Sequence, residues 1–133
     1  MYASTRIDEL ERKQIRSLAK KALQYCECQL GKRSRRPIPK LVLNWKNPEK
    51  DWGEYYDHSN EIHIYPHRMK KLGQVASTVI HEYTHYLQPR GNVYENLLRR
   101  WGYADHPHEI EARLNEIYWT RKFFHWLRSG AKR

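Results

Sequence analysis

Cysteine is scarce and badly spaced for cross-linking: Cys26 and Cys28, the only two in 133 residues, stand one residue apart in a segment of helical periodicity. That spacing excludes an ordinary disulfide, and two thiols are too few for a structural zinc knuckle. Reduced thiols in an intracellular, cytoplasmic protein are the expectation, with both side chains serving in packing. Long apolar runs are missing too. Charge interrupts every stretch before the roughly 18 residues a membrane span requires, so no membrane partner is expected. The first fourteen residues include Arg6, Asp8, Glu9, Glu11, Arg12 and Lys13 where a signal peptide needs an apolar centre, which argues against export. There is no internal repeat and no low-complexity segment. Negative charge is in short supply: 15 Asp and Glu face 25 Lys and Arg, a net charge of +10 at pH 7. Such a surplus suits polyanions, nucleic acid among them, without naming one.

What the chain does have is aromatic bulk. Hydrophobic residues are only 39%, but aromatics reach 13%, including five Trp and ten Tyr, which a disordered chain would lack. The length suits a single domain over residues 1–133 with one core. Apolar positions at three- and four-residue steps predict an amphipathic helix over residues 7–30, closed by Gly31 and followed by the basic loop Lys32, Arg33, Arg35 and Arg36. Residues 41–45 read as a strand and 47–51 as a turn. Residues 52–56 and 61–65 read as an antiparallel pair, with 62–65 the expected edge. A second helix spans 72–87, ended by Pro89 and Gly91; 92–101 is a shorter helix and 102–107 a loop. A last helix covers 108–127, with Ile110, Leu114, Ile117, Tyr118, Phe124 and Leu127 available to the core. A basic tail, about 128–133, frays. The fold class is therefore α+β: a helix, a small twisted sheet, then two long helices.

The second helix carries His81, Glu82, Tyr83, Thr84 and His85, the pattern H-E-x-x-H. Residues four apart lie one above the other on a helix, so both imidazoles can reach one zinc ion. Glu82 then projects beside the metal, placed to take a proton from a zinc-bound water and pass it to a leaving amine. The bare motif is only suggestive. Context strengthens it: it sits mid-helix, and Val75, Val79 and Ile80 can bury the opposite face.

A catalytic zinc usually takes three protein ligands and keeps one position open. The metzincin pattern would put a histidine six residues after His85, but Gly91 stands there, which excludes that class. Downstream, His106, His108, Glu109 and Glu111 crowd the start of the last helix. Glu109, Ala112 and Glu116 share a face by their spacing, and small Ala112 lets two helices approach closely. Glu111 points roughly 200° away around the axis. Glu109 is the favoured third ligand and Glu111 the alternative. His106 and His108 are weaker as ligands and are candidates, with Tyr103 and Tyr86, for contacting substrate or an oxyanion.

These runs, Glu61 to Tyr65, Val79 to Leu87 and His106 to Ala112, resemble the small gluzincin-type zinc metallopeptidases found among bacterial and phage proteins, with the ImmA/IrrE group a distant relative. The resemblance covers about residues 60–118 and implies a zincin-like minimal metalloprotease domain with one catalytic Zn2+. In that group a glutamate three residues before an alanine on a later helix is the third ligand, which corresponds to Glu109 here. Where the family pattern often places Asn or Asp after that alanine, this chain has Arg113. The implied reaction is hydrolysis of a peptide or protein substrate.

The remaining motifs read more plainly. His58, His63, His67 and His125 lack ligand spacing, though His63 is expected near the cleft. The basic loop with Trp45, Trp52 and Tyr55 offers phosphate and base contacts, so a nucleic-acid-binding protein with a structural or absent metal is the alternative reading. A hybrid is similar to SprT-like proteins in charge and location only.

Overall fold

The computed structural model describes residues 1–46, 51–89 and 92–130. Helix α1 spans Arg12–Leu30. Strands β1 (Lys40–Leu43), β2 (Gly53–Tyr56) and β3 (Glu61–Ile64) follow, then helices α2 (Leu72–Leu87), α3 (Asn92–Trp101) and α4 (Pro107–Arg128). The α+β class stands. The expected turn at 47–51, apart from Asp51, lies outside the described residues, as do Gly91 and residues 131–133 of the tail.

Alternation of apolar and polar residues sets the sheet. Ile62 and Ile64 of β3 are completely buried while Glu61 and His63 face away from the core, the two-residue period of a half-buried strand. β3 pairs antiparallel with β2, as expected, and parallel with β1, so the order is β1-β3-β2. This corrects the expectation that 62–65 forms the edge. A central strand must satisfy its backbone on both sides; β3 does so, and β2 becomes the edge beside α2.

Helix α1 also starts later than its periodicity suggests. Residues Ile7–Glu9 form a separate 3-10 turn, Leu10 is extended, and Gln14 caps α1 by accepting from Glu11 N–H at 2.8 Å. Helix α2 is the centre of the molecule. Val75, Ala76, Val79, Ile80 and Tyr83 are fully buried against α1 and the sheet. Gln74 accepts from the N–H groups of Lys70 and Lys71, satisfying donors at its start. At the other end Pro89 disfavours helical geometry at the residue before it, and Gln88 is extended (φ −82°, ψ 146°).

Helix α4 packs on α2 in two halves. Its C-terminal half supplies Phe123 and Phe124 to the core, where Phe123 meets Tyr25 of α1 edge-on at 5.6 Å. Its N-terminal half turns Glu109 and Ala112 inward. Four of the six residues expected in the core therefore lie outside it: Ile110, Leu114 (63% exposed), Ile117 (74%) and Tyr118 are exposed, while Phe124 and Leu127 pack as expected. One helix face cannot point both ways, and here the carboxylate face is the one turned towards α2.

Gly53 is where β2 and α2 come closest. A Cβ there would stand 2.5 Å from Thr78 Cγ2 and 2.8 Å from the His63 carbonyl oxygen. Gly53→Ala should therefore cost about 1–3 kcal/mol of folding stability, measurable by urea denaturation. An unchanged midpoint would contradict this packing.

Candidate metal centre and active site

His81 and His85 project from α2 and Glu109 from α4, and one ligand atom from each lies within 4.8 Å of the others. Among the described residues no other group of three His, Cys, Asp or Glu side chains converges in this way. His81 Nε2–H donates to Glu109 Oε1 at 2.8 Å, and His85 Nε2 stands 3.0 Å from Glu109 Oε2. Both imidazoles thus aim the same nitrogen at one carboxylate.

The opposite ring nitrogens are tied back. His81 Nδ1–H donates to Glu116 Oε1, and His85 Nδ1–H to Gln88 Oε1, each at 2.7 Å. Gln88, extended by the following proline, spends its amide N–H groups on the His108 carbonyl (2.8 Å) and Glu111 Oε1 (2.7 Å). Such partners hold a metal-binding histidine in the tautomer whose free nitrogen faces the ion. The donor set, two Nε2 atoms and a carboxylate with one side open to a cleft, fits a catalytic zinc. Glu109 is the carboxylate that meets the histidines, while Glu111 sits one layer out. Arg113 donates to the Ala104 carbonyl at 2.7 Å, and Glu116 backs His81.

Glu82 is 8% exposed and lines a cleft of about 580 Å³ between β2, α2 and the start of α4. No hydrogen-bond donor among the described residues meets its carboxylate. Burial raises its pKa, partly offset by the charges of His85 and His81, to about 7. Tyr103 also lines the cleft; partial desolvation and the charges of Glu109, Glu82 and Asp51 raise its phenol to about 12, so it keeps its proton as a donor.

The other candidates lie elsewhere. His106 is buried and caps α4, its Nδ1 accepting from His108 N–H at 3.0 Å and its Nε2–H donating to the Tyr94 carbonyl at 3.1 Å. The His108 ring packs on His106 and Tyr94, and neither histidine lines the cleft. Tyr86, next to His85 in α2, is buried and does not line the cleft, donating to the Arg36 carbonyl (2.8 Å) and accepting from Arg33 N–H (3.1 Å). His63, expected near the cleft, pairs with Glu61 at 2.9 Å on the sheet's outer face and does not line the cleft. The aromatic residues expected beside the basic loop are dispersed. Tyr55 is buried and donates to Asn60, Trp45 packs on the core beneath Arg12, and only Trp52 is exposed, in the cleft. In the loop itself, Arg36 and Arg33 face Asp57 at 3.0 and 3.9 Å.

Gln88 and Tyr94, which also lines the cleft, escaped the sequence reading. Gln88 lies three residues after His85, one helical turn on, which was the available signal. Nothing in the sequence marks Tyr94. No helix among the described residues is long and apolar enough to cross a membrane. Comparison of the chain with protein-family models, curated proteins and solved structures finds no match in any of the three.

Protonation of the metal-free centre follows from these contacts. Burial opposes a charge on His81, but the hydrogen bonds to Glu109 and Glu116 outweigh it and raise its pKa to about 10. Burial likewise opposes charge on Glu109, yet the two histidines hold it well below the usual carboxylate range. The charged His81 stabilises the metal-free fold fully below pH 6.5, and this contribution is lost as pH rises through about 10. That of Glu109 is complete above 4.5 and is lost in acid. Zinc must displace the His81 proton, so loading at pH 7.5 should release about one proton per ion, read by calorimetry in buffers of different ionisation enthalpy. In the same titrations Glu109→Gln should weaken zinc binding at least about 100-fold and Glu116→Gln about 10–100-fold. Glu111→Gln should bind nearly as wild type; a loss there equal to that of Glu109→Gln would misplace the third ligand.

Proposed function

We propose that the protein is a zinc-dependent metallopeptidase of minimal zincin-like architecture, similar to gluzincins, with His81, His85 and Glu109 as metal ligands and Glu82 as general base and then general acid. The observation that carries this reading is the convergence of two Nε2 atoms and one carboxylate, beside a buried carboxyl without a hydrogen-bond donor. Zinc held there would supply Lewis acidity, polarising a peptide carbonyl and acidifying water.

The chain's own residues account for the remaining needs of hydrolysis. Glu82, buried on the cleft wall beside both histidines, is placed to take a proton from water and return it to the leaving amine. Tyr103 is the candidate donor to the developing oxyanion, since its phenol stays protonated. His106 and His108 serve instead to hold α4 in place. Among the described residues β2 has a free edge, and it lines the cleft, where it offers main-chain groups to an extended peptide, which supports a peptide or protein as substrate. We place the protein in the cytoplasm, where Cys26 and Cys28 would stay reduced.

Glu82→Gln is the direct test. The variant should keep its zinc and its fold, and lose peptide hydrolysis by about 10²–10⁴-fold. Hydrolysis at the wild-type rate by this variant, or no zinc in the wild type, would overturn the proposal.

A further inference from the structure

The protein is strongly basic, yet its cleft is acidic. Five of the fifteen Asp and Glu residues, namely Asp51, Glu54, Glu82, Glu109 and Glu116, line it, and no Lys or Arg does so among the described residues. Three of these belong to the metal centre: Glu109, Glu116 behind His81, and Glu82. The other two do nothing for the metal. Asp51 and Glu54 are exposed and stand either side of Trp52 in the sequence where it enters β2, an edge strand among the described residues that borders the cleft.

Their placement is suited to a cation. Trp52 is 41% exposed in the cleft wall, although burial in a core is the usual place for so large a ring. An exposed indole with two carboxylates lining the same cleft can take the aliphatic stem of Lys or Arg on the ring and its charge near the carboxylates. Even with Glu82 protonated, a bound dication would leave the cleft negative, since four carboxylates face two positive charges. Glu82, on which the hydrolase reading also draws, points to a ligand in the same cleft: it is more than nine-tenths buried, lines the cleft and meets no hydrogen-bond donor among the described residues. The low-dielectric walls concentrate this field at the mouth, and the basic exterior sharpens the contrast.

We infer that the cleft selects peptides carrying a basic side chain beside the bond to be cut, with Asp51, Trp52 and Glu54 as the specificity-determining residues. This rests on the hydrolase reading for the cut itself, but the recognition is a binding property and can be measured without turnover.

The test uses three decapeptides that differ only in a central Arg-Arg, Gln-Gln or Glu-Glu pair, titrated into the zinc-loaded Glu82→Gln chain at low salt and followed by anisotropy. The Arg-Arg peptide should bind at least about tenfold tighter than the Glu-Glu peptide, with Gln-Gln between and the gap shrinking as salt is added. Adding Asp51→Asn and Glu54→Gln, both at exposed positions, should reduce the gap to within about twofold, and Trp52→Ala should weaken the Arg-Arg peptide selectively. Equal binding of the three peptides, binding of none, or a preference that survives the double substitution would overturn the inference. Rates of cleavage by the wild type separate the two readings. An Arg-Arg preference in binding with no cleavage of any peptide sinks the hydrolase and leaves the selectivity; cleavage of all three at equal kcat/KM sinks the selectivity and leaves the hydrolase.

Discussion

Two carboxylates of α4 meet one imidazole of α2, and the packing of the molecule is organised around that contact. Glu109 and Glu116 lie one and three turns into α4, and both reach His81, at 2.8 and 2.7 Å. Charges taken out of water are costly unless they are paired, and removing one partner leaves the other uncompensated. The α2–α4 interface therefore has little freedom in rotation or register. Ala112 sits between the two glutamates on the same face and is completely buried, so the helices approach closely enough for the pairs to form.

That constraint explains why the hydrophobic pattern of α4 misleads. Read alone, Ile110, Leu114, Ile117 and Tyr118 look like a core stripe, and apolar periodicity is ordinarily the best guide to a buried face. The structure turns that stripe to solvent because the polar face is needed against α2. Apolar burial comes instead from the second half of the helix, where Phe123 packs on Tyr25 and Phe124 on Phe123. A local rule broken in this way is expected at a functional site.

The rest of the fold was legible to differing depth. Among the described residues every α-helix and strand was placed to within five residues at each end, because turn residues and periodicity are local signals, but the two short 3-10 turns Ile7–Glu9 and Pro66–Arg68 were not foreseen. Sheet order was not, because whether β3 or β2 stands at the edge depends on where β1 returns, and no local pattern records that. Among site residues, the spacing of His81, Glu82 and His85 suffices to put them on one helical face, and Glu109 followed from the face it shares with Ala112. The tasks of His106, Tyr86 and Gln88 were hidden for a common reason: each is decided by a partner distant in sequence or by backbone geometry. His106 became a cap because Pro107 begins α4 and leaves the His108 N–H in search of an acceptor.

Charge is distributed to the same end. A chain at +10 repels basic peptides at long range, so an acidic cleft within it is effective only at short distance, inside about one Debye length, 8–10 Å at physiological salt. A basic substrate would thus gain little from steering and must be recognised by contact. Contact recognition is what β2 offers: an edge backbone for pairing, Trp52 for stacking and two carboxylates at hand. Gly53 is essential to this, for a side chain at that position would collide with Thr78 and lift the strand from α2. The close approach that keeps β2 against α2 is therefore also what sets its acidic residues beside the candidate metal centre, and the two properties cannot be altered independently at that position.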